Sequence, residues 1–426
     1  MPFSSSQPGD HYDAIVVGAS FAGLSFASLA ASLGLRVLVL ERDSKVGGIV
    51  RTTGVLFREV LDVLDVPARY LMNSVRHLHI QPPNHAPLEI SSAAYRFYMA
   101  DVTGMLGWLA EQAQEHGATI QCDTMFLDAT QNQEGRMSVE VGKLSAPGEL
   151  STLSTSILIG ADGTRSRVAR SMGLDLNTRF LGGAEWLLEG IPLDRETFYL
   201  IMNHALAPGY CLWLAPHGEI AAMGVAGHPR TFNPTTSLRK AQELFQNVVD
   251  MSQAHIVERK AGVIPTGGRL KHVYRHDARG HALLLGDAAG LCGAATGGGI
   301  YPALISGRLA AHAVANEVLN GTDGSIKAYL HNIAHAGQLD HYLRIEDWLR
   351  LALDNMKSDA DVSMLYGLFA SPEGHKILQS ALLETPIIGM DSNFFSLLRN
   401  LLSKHPRIYR SAFQAVWQRV TTSNRA

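Results

Sequence analysis

The chain has 426 residues, 46% hydrophobic and 18% charged. That is enough for roughly two to three domains whose cores need no disulfide staples, and it excludes a disordered or fibrous polypeptide. Lys plus Arg number 36 against 39 Asp plus Glu, a net charge of -3, so the basic excess of a nucleic-acid reader is absent. The three cysteines, Cys122, Cys211 and Cys292, are too far apart for a CxxC motif or a disulfide framework, which makes a reducing, cytoplasmic setting the default expectation.

The opening residues MPFSSSQPGDHYD have no charged segment followed by an apolar one, so no secretory signal is expected. Asp13 to Val17 reads as a short buried strand ended by Gly18. A helix of small residues, Ala22 to Leu33, follows and stops at Gly34; Arg36 to Leu40 is a second apolar strand. Strand, helix and strand within about 30 residues form a βαβ unit, which requires a parallel sheet. The uncharged run from Ala14 to Leu35 is therefore assigned to this unit and not to a membrane span. A helix is predicted from Met105 to His116, then short strands with breakers at Gln133-Glu134-Gly135 and Pro147-Gly148, and an apolar strand Thr152 to Ile159 leading into Gly160-Ala161-Asp162-Gly163.

From Phe180 to Val263 the pattern changes to short β-rich runs, Phe198 to Met202, Tyr210 to Leu214 and Ile220 to Val225, with one helix near Ser237 to Val249. This is an antiparallel layer distinct from the parallel one. His281 to Leu285 is again a short apolar strand, followed by glycine-rich chain, a long helix from Ile300 to Leu319, and a helical last hundred residues. The expected fold is α/β: a Rossmann-like domain with a parallel sheet from 1–75, 101–180 and 266–325, an inserted antiparallel β domain from 76–100 and 181–265, and a helical region from 326–426.

The first turn reads Gly18-Ala19-Ser20-Phe21-Ala22-Gly23, a dinucleotide fingerprint with serine at its middle glycine. Backbone amides there can meet a pyrophosphate, and Ser20 is small enough to keep the approach. Glu41, at the end of the second strand, can accept ribose hydroxyls. Asp162 and Asp287 each follow a buried strand, where a carboxylate can hold a ribose or ribityl hydroxyl; the plainer reading of either alone is a turn or N-cap residue. Thr296-Gly297-Gly298-Gly299 precedes a helix and can offer bare amides to an electron-rich ring edge.

Taken together these segments resemble the FAD-dependent oxidoreductases of the p-hydroxybenzoate-hydroxylase fold. The stretch GDAAGLCGAATGGGIYPALISGRLAA is similar to the geranylgeranyl reductase branch, with flavin monooxygenases and halogenases as relatives. The resemblance spans about residues 12 to 320. It implies that Gly18, Ser20, Gly23, Glu41 and Arg42 hold the ADP half of FAD. Asp162 falls in the central DG motif, Gly286 and Asp287 in the ribityl-binding GD motif, and Gly297, Gly298 and Gly299 against the isoalloxazine. The chain departs from the branch where Thr52, not cysteine, follows Arg51, and where Cys211-Leu212-Trp213-Leu214-Ala215-Pro216 keeps only part of a YxWxFP motif. Ala294 replaces the usual proline, and a halogenase lysine has no counterpart, since Lys45 lies in the FAD loop.

The resemblance implies hydride transfer from reduced flavin to a C=C bond of an apolar substrate. Hydroxylation or epoxidation of a small or aromatic substrate is the alternative, and a non-redox binding protein the third class. Arg51, Cys211, Trp213 and Tyr301 are the candidates for the substrate cavity; ordinary core packing is the plain reading of Cys211, Trp213 and Tyr301. The electron donor, NAD(P)H or a partner reductase, stays open because no second nicotinamide fingerprint is present. His77 and His79 share a strand face, but with only His85 nearby no metal site is expected. The tail from Leu401 to Ala426 is basic, with apolar residues at helical spacing. It reads as a helix packed on the domain, or as a peripheral contact with an anionic membrane.

Overall fold

The computed structural model describes residues 11–93, 95–335 and 337–379. The first strand, β1 (His11–Val17), is fully enclosed at Ala14, Ile15 and Val16, and it pairs in parallel with β2 (Val37–Leu40). Between them runs α1 (Phe21–Ser32). Its small residues permit close helix packing: a Cβ on Gly307, in the helix Ile300–Asn320, would lie 2.5 Å from the Ala22 carbonyl oxygen. Ser25 donates its hydroxyl to the Leu304 carbonyl at 3.0 Å across that contact. Ala14 to Leu35 is thus strand, turn and helix, as expected, and among the described residues no helix is long and apolar enough to cross a membrane.

Five strands run parallel in the order Gly280–Leu284, Leu150–Gly160, β1, β2, Thr119–Gln121, and Tyr274–Asp277 closes one edge antiparallel. Leu150–Gly160 is long enough to change partners. Its first half pairs antiparallel with Met137–Lys143, which pairs in turn with Thr124–Gln131; its second half joins the parallel run.

A second, seven-stranded sheet takes the order His255–Pro265, Phe180–Glu189, Ile220–Gly227, Leu212–His217, Thr197–Ile201, His77–Gln81, Leu88–Ser91. Its outer face is covered by the helix Pro234–Phe245, which buries Leu238, Ala241 and Phe245 against Trp186, Leu188 and Met223. That helix begins three residues earlier than the apolar spacing suggests because Asn233 accepts the Thr236 N–H at 3.0 Å and proline occupies its first turn. For the same kind of reason the helix expected at Met105 begins at Val102, capped by Asp101 on the Gly104 N–H. Val55–Leu56, Phe97–Ala100 and Leu71–Val75 form a third, small sheet. The helices Ser325–His335, Gly337–Asn355, Asp359–Phe369 and Pro372–Gln379 complete the described chain. The basic stretch Leu401 to Ala426 lies outside the described residues.

Candidate functional site

Strand register brings the three remote motifs to one edge. Leu284 is paired with Gly160, Gly160 with Val17, and Val17 with Leu40, so these residues form one row across four parallel strands. The chain leaves that row at Gly286-Asp287, Ala161-Asp162, Gly18 and Glu41, at the carboxyl ends where open parallel sheets bind ligands. The contact between the first two segments is backbone on backbone. Gly18 has φ +105°, and a Cβ on it would lie 2.5 Å from the Ala161 oxygen and 3.2 Å from the Asp162 Cα. On Gly23 a Cβ would fall 2.0 Å from the Gly18 oxygen, so the turn closes only with hydrogen there.

Glu41 is tied into this turn. Its Oε2 accepts the Ala19 N–H at 2.9 Å and its Oε1 the Asp43 N–H at 2.9 Å, which fixes the carboxylate while leaving lone pairs on both oxygens for further donors. Ser20 is exposed in extended backbone at the N-terminus of α1, and its hydroxyl makes no capping bond to the helix. Arg42 is half exposed and pairs with Asp43 at 3.5 Å.

Asp162 does what the plainer reading allowed. Its carboxylate accepts the Ser166 hydroxyl and the Arg167 N–H, both at 2.6 Å, and the Val168 N–H at 3.2 Å, and so caps the short helix Arg167–Ser171. The motif therefore reaches the site through its backbone, and the carboxylate braces the turn from behind. Asp287 faces the other way. It accepts the Thr164 hydroxyl at 3.3 Å, and its Oδ1 would lie 3.0 Å from a Cβ on Gly299, under the first turn of Ile300–Asn320. Burial pushes its carboxyl up from the usual range. Asn177, which sequence reading missed, links the two segments by donating from Nδ2 to the Thr164 carbonyl at 3.2 Å and the Asp287 carbonyl at 2.8 Å.

The glycine loop 296–299 is held from the helix Gly337–Asn355, a second feature without a motif. Glu346, 3% exposed, accepts the N–H groups of Ala295 and Thr296 at 2.8 Å and the Thr296 hydroxyl at 2.9 Å. One turn earlier Tyr342 donates to the Gly298 carbonyl at 2.9 Å. One turn later Arg350 donates to the Gly209 carbonyl at 2.6 Å in the inserted layer, and Tyr210 beside it donates to the Thr296 carbonyl at 2.5 Å. A single helix face therefore holds both the loop and the segment opposite it.

Comparison with known proteins accords with this arrangement. A family model described as FAD binding domain matches residues 11–333. The chain belongs to that family, and it is an FAD-dependent oxidoreductase. The flavoprotein is 30% identical to the digeranylgeranylglycerophospholipid reductase of Methanothrix thermoacetophila over 73% of its own length and 80% of the relative's. Its fold is that of a geranylgeranyl bacteriochlorophyll reductase-like protein of Thermoplasma acidophilum, with TM-score 0.78 and 19% identity over 95% of this chain and 99% of that one. Aklavinone-11 hydroxylase, solved with FAD and aklavinone, is similar with TM-score 0.59 and 19% identity over 83% and 70%. The residues fit the cofactor. The Gly18 turn is bare of side chains where a pyrophosphate would approach the amides of α1, and Glu41 has acceptor capacity for ribose hydroxyls. The 296–299 loop presents glycines at a helix N-terminus.

The four cavity candidates part company. Trp213 is buried on the inner face of the inserted sheet, its ring laid over Gly224, where a Cβ would come within 2.1 Å of the indole. Its Nε1 donates to Glu185 Oε2 at 3.1 Å, and its ring meets Tyr210 edge-on at 6.3 Å. Arg51 is exposed and runs over the same face, its carbonyl oxygen 3.3 Å from a Cβ built on Gly262. Cys211 packs with Val75, Leu78 and Met202, and burial pushes its thiol up to about 12, so it stays protonated. Tyr301 is buried in the core of the parallel-sheet domain, near Glu59 and Asp62.

His79 is engaged by Glu89 at 2.5 Å and tilts against Tyr199, a packed histidine. The described residues do bring His276, His281 and Glu317 within 4.8 Å of one another. The two imidazoles are stacked at 4.1 Å with 9° between their planes, so their lone pairs run side by side and do not converge on one ion.

Proposed function

We propose that the flavoprotein saturates carbon–carbon double bonds of an apolar, isoprenoid-like substrate lying along the inner face of the inserted sheet, beside the glycine loop. The carrying observation is the inner face of that sheet. Leu181, Trp213 and Ala226 are buried there, with Phe198, Leu200 and Ile264 packed against them, and a Cβ on Gly297 would touch Ile264 at 3.4 Å. Such a wall suits a hydrocarbon chain. The named activity of the reductase relatives points the same way.

Bound FAD, once reduced by NAD(P)H or a partner reductase, supplies the hydride. The protein's own part is orientation and water exclusion. The Gly297 N–H donates to the Gly293 carbonyl at 2.8 Å and the Gly298 N–H to the Thr296 hydroxyl at 3.2 Å, so what the loop would offer the electron-rich edge of a bound, reduced ring is its side-chain-free surface and the positive end of a 21-residue helix. Glu346 and Tyr342 keep that loop from relaxing, and Tyr210 with Trp213 closes the apolar side.

The test is anaerobic. Enzyme reduced with dithionite and mixed with 2,3-bis-geranylgeranylglyceryl phosphate should reoxidise and yield lipid that has lost one double bond per flavin oxidised. A hydroxylase, the reading favoured by the fold shared with aklavinone-11 hydroxylase, would stay reduced until oxygen entered and would incorporate one oxygen atom into its product.

A further inference from the structure

Reduction of a double bond takes a proton as well as a hydride, and the inserted sheet carries a buried acid beside the apolar wall. We propose that Glu185 is the catalytic acid that protonates the substrate carbon next to the one receiving hydride, an inference that rests on the reductase reading above. Glu185 lies in Phe180–Glu189 and is 5% exposed. Its Oε2 accepts the Thr53 hydroxyl at 2.5 Å and the Trp213 N–H at 3.1 Å, whereas Oε1 has no hydrogen-bond partner among the described residues. Two donors on one oxygen fix the side chain and leave the other oxygen as the one that can carry a proton and release it.

The position before it on the same face is Gly183. The three atoms nearest to a Cβ built there are 3.7 to 3.9 Å away and belong to the sheet itself. Glu185 stands two residues from Gly183 in one direction, about 7 Å along a strand. In the other direction Leu181 pairs with Ile264, the side chain that meets Gly297. A chain lying over Gly183 therefore has the glycine loop on one side and Glu185 on the other.

The charged and titratable surroundings are few, and the segment that crosses this face adds the exposed Arg51, whose backbone packs on Gly262 opposite Gly183. Lys260 Nζ lies 4.0 Å from Oε1, on the strand that also carries Glu258. His217, on the Trp213 strand, is held at about 4 by burial and by Lys260, and so is neutral. Burial pushes the Glu185 carboxyl up, against the opposing pull of Thr53, Trp213 and Lys260, while Glu258 adds to the rise. In the step itself the C=C π bond breaks. One carbon takes hydride from two-electron-reduced FAD, which is left oxidised, and its neighbour takes the proton from Oε1. The resulting carboxylate is stabilised by Lys260 and the two donors, then reprotonated by water.

The experiment follows anaerobic reoxidation of dithionite-reduced holoenzyme by 2,3-bis-geranylgeranylglyceryl phosphate across pH. The wild-type rate should fall as pH rises through the Glu185 ionisation. Glu185→Gln should lose at least 100-fold and show no such limb, while FAD affinity and reoxidation by oxygen stay within twofold. Glu185→Asp should recover part of the rate. Thr53→Val, which removes a donor that favours the carboxylate, should move the limb to higher pH, and it supplies the answer if Glu185→Gln fails to fold. A Glu185→Gln enzyme with the wild-type rate, or a limb unmoved in Thr53→Val, overturns the assignment. A wild-type enzyme that oxygen reoxidises but the olefin does not would overturn the reductase reading itself.

Discussion

A methyl group on Gly18 would have to share space with the Ala161 carbonyl, 2.5 Å away, at a φ of +105° that side chains rarely adopt. Neither partner can yield cheaply, since both are backbone pinned at the strand ends, Gly18 by its N–H to the Leu40 carbonyl at 2.8 Å and Ala161 by its N–H to the Val17 carbonyl at 2.9 Å. Gly18→Ala should cost about 2 kcal/mol or more in stability and abolish tight FAD binding, readable by urea melts and by quenching of FAD fluorescence. Gly117→Ala is the control: it also has positive φ, +100°, but no atom lies within 4 Å of its Cβ position and it follows the helix Val102–Glu115, so strain is its whole cost and FAD binding should survive. Gly18, Gly23 and Glu41 were legible in the sequence because they form one spaced motif within a single βαβ unit, even though the atom that crowds Gly18 belongs to the distant Ala161. Glu185 and Asn177 were not. Glu185 is 132 residues from Thr53, and Asn177 is 110 from Asp287, so nothing near either one in sequence announces a role.

Among the elements, Gly337–Asn355 shows the same limit on a larger scale. Its helical character is plain from the chain, yet the reading ended its motifs near residue 320 and left the helix without a task. Glu346 acts 50 residues upstream, on Thr296, and three donors converge on its buried carboxylate. Glu346→Gln keeps the shape and can keep an oxygen on the Ala295 and Thr296 N–H groups, but its NH2 group then meets the Thr296 hydroxyl, which must turn from donor to acceptor. Exchanging that charge-assisted bond for a neutral one costs about 1 kcal/mol, so FAD affinity should drop by up to about tenfold. The midpoint potential should rise as well, because removing a buried negative charge behind the loop eases reduction of the ring it cradles. Potentiometry against the wild type checks this, and a variant with unchanged potential and affinity would mean that Tyr342 and the helix fold hold the loop unaided. Strand boundaries were less legible than helices. Phe180–Glu189 interrupts its alternation with Gly182-Gly183, and His255–Pro265 is a charged edge strand, so neither stood out although both wall the site.

Across the whole molecule, three segments that are more than 120 residues apart in sequence meet only through parallel register, and each is the exit from a separate strand. Beyond the backbone bonds of Ala161 to Val17 and Leu285 to Gly160, the described residues link them through two hydrogen bonds from Asn177, the weak Thr164 to Asp287 contact and the Gly18 to Ala161 approach. A ligand that touches all three must then stabilise them as a unit, because binding to the native state alone adds about 2.7 kcal/mol at a hundredfold excess over Kd. Hydrogen exchange on adding FAD should therefore slow together at 18–23, 161–168 and 286–299, with the 295–298 amides slowing least, since Glu346 already protects two of them. AMP or ADP, which can reach only the Gly18 turn and Glu41, should protect the first segment and leave 296–299 unchanged. Equal protection of all three by ADP would place the flavin end of the site elsewhere, and the inner face of the inserted sheet would lose its claim to the substrate.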